Sequence, residues 1–405
     1  MSEWKKVSLD QMGTVSRGKS KHRPRNDARL FGGKYPFIQT GDIGSAGLYV
    51  NEFSQTYNEE GLAQSKLWEK DTLCITIAAN IADTALLAFP ACFPDSIMGF
   101  VADPKISNVK FVKYCFDILQ RDCKQISQGA AQDNLSWKKL STIEFPCPPI
   151  EVQHRIATIL SRYDSLIENY QKQIKLLEEA AQRLYKEWFV DLHFPEHENV
   201  NIIDGLPEGW EKKKLCELFS FVRGKSYTSK ELSDEGTIMV NLKNIQSFGG
   251  YKSDVEKHFI GTFKEEQTLM KGDLIMGVTD MTQERRLVGS VALIPDFKET
   301  ATFSMDLIKL ISFKLPNIYL YCAMRYGDVS RQIAPLANGV NVLHLKPEAI
   351  SNIEMVVASD SIIEKFVSYT SKTIENILSL QSQLRLLTEA RDRLLPKLMS
   401  GEIEI

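Results

Sequence analysis

The longest regular pattern in the chain covers residues 150–189, with apolar side chains at Ile156, Leu160, Tyr163, Ile167, Tyr170, Ile174, Leu177, Ala181, Leu184 and Trp188. The steps alternate four and three, and neither Gly nor Pro interrupts them. Such a heptad predicts a long helix packed along a partner helix. At 1.5 Å per residue it is roughly 58 Å long, too long for the interior of one compact domain. The partner lies in the same chain. A shift of 210 residues carries Ile167 to Ile377, Tyr170 to Leu380, Ile174 to Leu384, Leu177 to Leu387 and Leu184 to Leu394, and lays "LLEEAAQRL" on "LLTEARDRL". These ten positions are expected to form the seam of an intramolecular antiparallel coiled coil. The alternative is two amphipathic helices, each lying on its own domain.

Residues 1–149 mix short β-type runs (35–40, 72–77, 97–102) with Gly, Asn and Pro punctuation and one helical stretch at 108–120. An acidic linker, 190–205, follows the first long helix. Residues 206–360 then repeat the opening. Trp4 and Leu9 recur as Trp210 and Leu215, and "RGKS" at 17–20 recurs unchanged at 223–226. "FIQTGDI" answers "MVNLKNI", Asp71 answers Asp273, and Gly129 and "IEF" answer Gly339 and "IEM". The expected fold class is α/β (α+β). Two similar globular domains, 1–149 and 206–360, are separated by an antiparallel coiled coil of two long helices, 150–189 and 361–405, in a pseudo-two-fold internal repeat. Framework positions repeat while the loops between them differ, as in one scaffold carrying two recognition surfaces.

Composition narrows the class further. The chain has 405 residues, 43% hydrophobic and 25% charged, with no apolar run long enough to span a membrane. Its seven cysteines are odd in number and never fall as CxxC, so neither a disulfide frame nor a zinc site is indicated, and a cytoplasmic location is expected. The net charge of −3 excludes a uniformly basic nucleic-acid coat. Residues 1–150 hold 18 basic against 16 acidic groups and residues 206–360 hold 19 against 20, so attraction to DNA must come from local patches.

Residues 13–20 match the phosphate-loop pattern GxxxxGK[ST]. That motif requires a helix immediately afterwards. Here "KHRPRNDARLFGG" follows, and the repeat has Phe219 in place of Gly13. A nucleotide hydrolase is therefore disfavoured. The basic residues offer a better reading: Arg17, Lys19, Lys21, Arg23 and Arg25 occupy every second position, so an extended segment would present all five to a phosphate backbone. The second copy keeps Arg223 and Lys225 and adds Arg285 and Arg286. Polar loop residues suited to base edges are Asn80, Thr84, Gln128, Gln132 and Asn134 in the first copy, and Thr282, Gln283, Asn338, Asn341 and His344 in the second. No catalytic constellation or metal set is found. His193 and His197 stand four apart in the acidic linker without Cys partners.

With "FPCPPIEVQHRIATIL", "LYKEWFVDLHFP", "LPEGWE" and "LLPKLMSGEI" at the ends of both repeats, the chain resembles the specificity subunits of type I restriction-modification systems. The resemblance implies two target-recognition domains, each reading half of an asymmetric bipartite double-stranded DNA sequence. It also implies two long helices that bind methyltransferase subunits, two of them, with restriction and translocase subunits joining the assembled complex. S-adenosylmethionine, ATP and Mg would reside on those partners, and this chain would bind no cofactor and perform no catalysis. The start of the second helix departs from the family pattern, since Asp360 lies in a stretch lacking the Pro148-Pro149 pair. A coiled-coil adaptor presenting two protein-binding modules is the alternative, and salt-dependent DNA binding separates the two.

Overall fold

Continuous buried runs form the centre of the first domain. Leu73–Thr76 and Thr84–Leu87 are buried at every residue and pair antiparallel, Leu73 opposite Leu86 and Ile75 opposite Thr84. The computed structural model describes residues 4–77, 83–126, 140–253 and 257–405, leaving aside the side chains of 121–126. Around the central pair a five-stranded sheet takes the order Gly13–Arg17, Ile97–Ala102, Leu73–Thr76, Thr84–Leu87, Tyr49–Val50. A second sheet has the order Gln55–Tyr57, Phe31–Phe37, Ala91–Cys92, Leu67–Trp68. Lys5–Ser8 pairs with Glu144–Cys147, the strand that leads into the first long helix.

The second domain repeats most of this wiring, with four strands rather than five in its main sheet among the described residues. Its main sheet runs Phe219–Arg223, Leu307–Ser312, Leu274–Gly277, Val291–Leu293. Its second sheet runs Leu232–Ser233, His258–Phe259, Thr237–Val240, Ala301–Phe303. Glu211–Lys214 pairs with Glu354–Val357 as the terminal ribbon. The turns match as well: the Gln39 N–H donates to Asp42 at 2.7 Å, and the Asn241 N–H donates to Asn244 at 2.9 Å, 202 residues on. One sequence pairing moves by a residue. Leu73–Thr76 corresponds to Leu274–Gly277, so Asp71, at φ 62°, corresponds to Gly272, at φ 83°, and Asp273 to Thr72. What repeats there is a left-handed turn, which Gly and Asp both tolerate, rather than a carboxylate.

Two unbroken helices, Ile150–Phe189 and Asp360–Met399, carry the chain out of the two domains. Asp360 occupies the first turn of the second helix, where its negative charge suits the helix N-terminus. The start of the first is fastened by buried Gln153, which donates to the carbonyls of Ile106 (3.0 Å) and Pro148 (2.9 Å) and accepts from the Asn108 N–H (3.0 Å). The fold divides into two compact units, residues 1–168 with 387–405 and residues 169–386. In the first unit, Ile156, Ala157 and Leu160 share the core of Phe100, Phe111 and Phe145 with Leu395, Leu398 and Met399. Arg391 donates to Asp164 at 2.9 Å, and Tyr114 donates to the same carboxylate at 2.5 Å. In the second unit the Trp188 ring lies 5.8 Å from Phe366 and 5.7 Å from Tyr369. In both units, residues later in the first helix meet residues earlier in the second, so the segments run antiparallel.

The ten seam positions differ in depth. Ile167, Ile174, Ile377 and Leu384 are buried, while Tyr170, Leu177, Leu184, Leu380, Leu387 and Leu394 are partly exposed. A 3.6-residue helix drifts against a seven-residue pattern, and by the end of the first helix Tyr185 rather than Leu184 has turned inward. Leu177 and Leu380 line a surface cleft with Gln173, Leu176, Asn376 and Gln383. Ile174→Ala or Ile377→Ala is expected to cost about 2–5 kcal/mol in urea denaturation. Leu177→Ala is expected to cost less than either.

Candidate nucleic-acid interface

Sheet register decides which loops meet. In the first domain Arg17 lies opposite Met98, Thr76 opposite Ile97, and Ile75 opposite Thr84. One end of the sheet therefore holds the finish of Gly13–Arg17, the finish of Leu73–Thr76 and the start of Thr84–Leu87. The second domain does the same, with Arg223 opposite Ile308, Gly277 opposite Leu307 and Met276 opposite Val291.

The repeated "RGKS" sits at this end as a chain crossing. The Gly18 N–H donates to the Ile97 carbonyl (2.8 Å) and the Lys19 N–H to Phe93 (3.0 Å); the Gly224 N–H donates to Leu307 (3.2 Å) and the Lys225 N–H to Phe303 (2.8 Å). A Cβ on Gly18 would stand 2.3 Å from the Pro94 oxygen, and one on Gly224 would stand 2.0 Å from the Ser304 oxygen. Close backbone approach is what the repeated glycine provides. Residues 13–17 form a strand that opens into irregular backbone, so the strand-to-helix turn of a phosphate loop is not formed. Gly18→Ala and Gly224→Ala are each expected to destabilise the chain by about 1–3 kcal/mol, as overpacking does, read as a lowered denaturation midpoint.

The five-residue basic row does not stay on one face. The strand ends at Arg17; Gly18 and Ser20 face inward and Lys19 and Lys21 face out, and then the backbone bends at 22–24. The Lys21 and His22 N–H groups both donate to the Gln64 side chain, at 2.6 and 3.0 Å, which turns the chain. Arg25 donates to Asp95, and Arg23 lies 3.7 Å from the same carboxylate while donating to the carbonyls of Ser20 and His22. Beyond the bend, Arg29 and His22 hold the Asp27 carboxyl well below its usual range by hydrogen bonding. Among the described residues no carboxylate pairs with Arg17, Lys19 or Lys21. A fourth base joins them that spacing missed: Lys66 lies 3.5 Å from Ser16 Oγ and 3.5 Å from the Trp68 ring centre, and the adjacent Ser65 hydroxyl donates to the Lys19 carbonyl at 2.7 Å. Thr84 is corrected: it is a buried strand residue opposite Ile75, since its segment is central in the sheet, and it presents no free loop hydroxyl. Asn80, Gln128, Gln132 and Asn134 lie outside the described residues.

In the second domain the structure brings most of the candidates together. Strand Thr279–Asp280 pairs with Leu343–His344, Thr279 opposite His344. Buried Asp280 organises the loop that follows, accepting from the Thr282 N–H (2.8 Å), the Thr282 hydroxyl (2.9 Å) and the Leu287 N–H (2.7 Å). Gln283 crosses to the second loop and donates to the Val340 carbonyl at 2.8 Å. Asn338 and His344 close that loop through reciprocal backbone bonds of 3.0 and 2.9 Å, leaving Asn341 exposed. Arg285 is half-buried at φ 53°, and exposed Arg286 lies 2.5 Å from Glu284. At the same sheet end Arg223 donates to Glu348 at 2.6 Å and holds that carboxyl below its usual range. Spacing did not single out Asp280, although its bonds set the loop's shape. In the linker, the rings of His193 and His197 lie 5.3 Å apart, with His197 Nδ1 against the Phe194 carbonyl at 2.9 Å.

The chain is thus a two-copy α/β scaffold in which each copy continues into a long helix. Comparisons with known proteins bear on its family. Residues 1–179 match the family model described as type I restriction modification DNA specificity domain. The chain is 25% identical to the type I restriction enzyme MjaIX specificity subunit of Methanocaldococcus jannaschii, over 100% of this chain and 94% of that protein. It is 23% identical to the HindI specificity subunit of Haemophilus influenzae, over the whole of both. In fold it is similar to the crystal structure of the type I restriction-modification S subunit from M. genitalium, with a TM-score of 0.60, 18% identity, and coverage of 98% of this chain and 96% of that one. Residues 1–179 thus carry a type I restriction modification DNA specificity domain, and the chain as a whole is similar to specificity subunits of type I restriction enzymes. No helix among the described residues is long and apolar enough to cross a membrane.

Proposed function

We propose that the chain is the DNA-reading subunit of a type I restriction-modification enzyme and recognises an asymmetric bipartite duplex, each domain reading one half. The observation that carries this reading is the repeated sheet end. Both copies place "RGKS" and the finish of the third-ordered strand at the same end, yet the sequences that follow that strand, 77–83 and 278–290, differ in length and residues, so the two half-sites differ. Arg17, Lys19, Lys21 and Lys66 in the first copy, and Lys225 and Arg286 in the second, supply phosphate contacts. Gln283, Asn341 and His344 supply groups for base edges. The long helices present the methyltransferase subunits with apolar contacts, and Leu166, Leu176, Tyr369 and Leu386 are all exposed on them. Two such subunits dock, and the restriction and translocase subunits join through the assembled complex. S-adenosylmethionine, ATP and Mg act on those partners, and this chain performs no catalysis.

The test is methylation mapping in cells that express this chain with its methyltransferase partner, joined to duplex binding at several salt concentrations. A single interrupted, non-palindromic motif is expected, with affinity falling steeply as salt rises. Salt-independent binding, or a continuous palindromic motif, would refute the proposal.

A further inference from the structure

The turn 245–251 in the second unit reaches the loop that carries Gln283 and Arg286. Ile245 and Tyr251 bridge its base, and Phe248 stands at its tip, 68% exposed and at φ 66°. A bulky residue in left-handed backbone is uncommon and persists only where the surroundings hold it. Here they do. The Phe248 N–H donates to the carbonyl of Arg286 at 2.9 Å, and the Gly250 N–H to Val291 at 2.8 Å. Gly249 and Gly250, both at φ 106°, lie against Arg325, so close that a Cβ on either would stand 2.9 Å from that side chain. Arg325 is itself immobilised by Glu178 of the first long helix, through bonds of 2.8 and 2.9 Å. From the second long helix, Gln381 donates to the Tyr251 carbonyl at 3.3 Å.

Two further apolar side chains stand out on the adjoining loops. Met281 is 75% exposed next to Thr282, and Val340 is 89% exposed on the residue whose carbonyl Gln283 holds. These three tips are hydrogen-bonded into one loop cluster and interleaved with Arg286, Gln283 and Asn341. The core of a protein–protein contact is depleted of charge, and this cluster is not. Apolar groups set among Arg, Gln and Asn match the major groove, where thymine alone offers a methyl group.

We propose that Phe248 and Val340 are specificity-determining residues of the second domain that contact thymine methyl groups in its half-site, with Glu178 and Arg325 as the positioning pair that holds the Phe248 turn. The inference rests on the DNA-reading proposal above. The experiment uses the full chain assembled with its methyltransferase partner and a duplex selected from a random library by that complex. Phe248→Ala and Val340→Ala are compared with Phe313→Ala, an exposed aromatic at the far end of the Leu307–Ser312 strand. Each of the first two is expected to lower discrimination at one half-site about tenfold, the order that burying one large apolar side chain gives. The other half-site and the control variant stay unchanged. Replacing thymine by uracil in the affected half-site is expected to weaken the wild-type complex and to leave the Phe248→Ala, Val340→Ala double variant unaffected. If the wild-type complex selects no sequence, the DNA-reading proposal falls and takes this one with it. If it selects one, and either the variants keep wild-type discrimination or uracil substitution changes nothing, only the present inference is overturned.

Discussion

Exchanging residues 1–149 for the corresponding domain of another specificity subunit is expected to replace one half of the target and leave the other half unchanged. The first domain closes on itself through the Lys5–Ser8 and Glu144–Cys147 ribbon, and among the described residues its sheets take no strand from the second domain. The loops at its sheet end can therefore be replaced as a set without altering the register of the other copy. What must be kept is the seating of the first helix on that domain. Gln153 reaches back to Ile106 and Pro148, and Tyr114 reaches Asp164. A donor domain lacking the Tyr114 hydroxyl would leave Asp164 bonded to Arg391 alone. Methylation mapping reads the result directly. If both halves of the motif change together, the two domains do not read independently.

Removing Glu178 is expected to be the most damaging single substitution outside the cores. Its carboxylate is 13% exposed and Arg325 is 10% exposed, so Glu178→Ala strands a buried guanidinium. Breaking a buried pair from one side costs about 3–5 kcal/mol, whereas replacing both partners by apolar residues of similar size is often neutral. Burial disfavours the charged guanidinium, while Tyr321 and Glu178 favour it. A guanidinium keeps its proton in proteins, so the charge stays on when Glu178 is removed. Urea denaturation should show a large loss for Glu178→Ala, and Glu178→Met combined with Arg325→Met should recover most of it. A loss below about 1 kcal/mol, the range of surface ion pairs, would show that the pair is solvated in solution.

The parts of this protein legible from the chain alone were those set by local periodicity. A heptad over forty residues needs no distant partner to declare itself, and the same phase 210 residues later named the partner helix. The repeated "RGKS" could likewise be seen as framework, although its physical role, a glycine at a backbone crossing, required Ser304 and Pro94 to be in place beside it. Side-chain direction in the loops was not legible. The alternation of Arg17 to Arg25 assumed an extended chain, but Gln64, more than forty residues away, captures the Lys21 and His22 amides and bends it. Thr84 looked like a loop hydroxyl until its segment took a central place in the sheet. Lys66 and Phe248 lie beside the candidate loops only because strand register and long-range hydrogen bonds bring them there. Helix propensity and heptad phase act between residues three and four apart. The composition of a sheet end is decided by pairings between strands far apart in sequence, and so it emerged only with the tertiary structure.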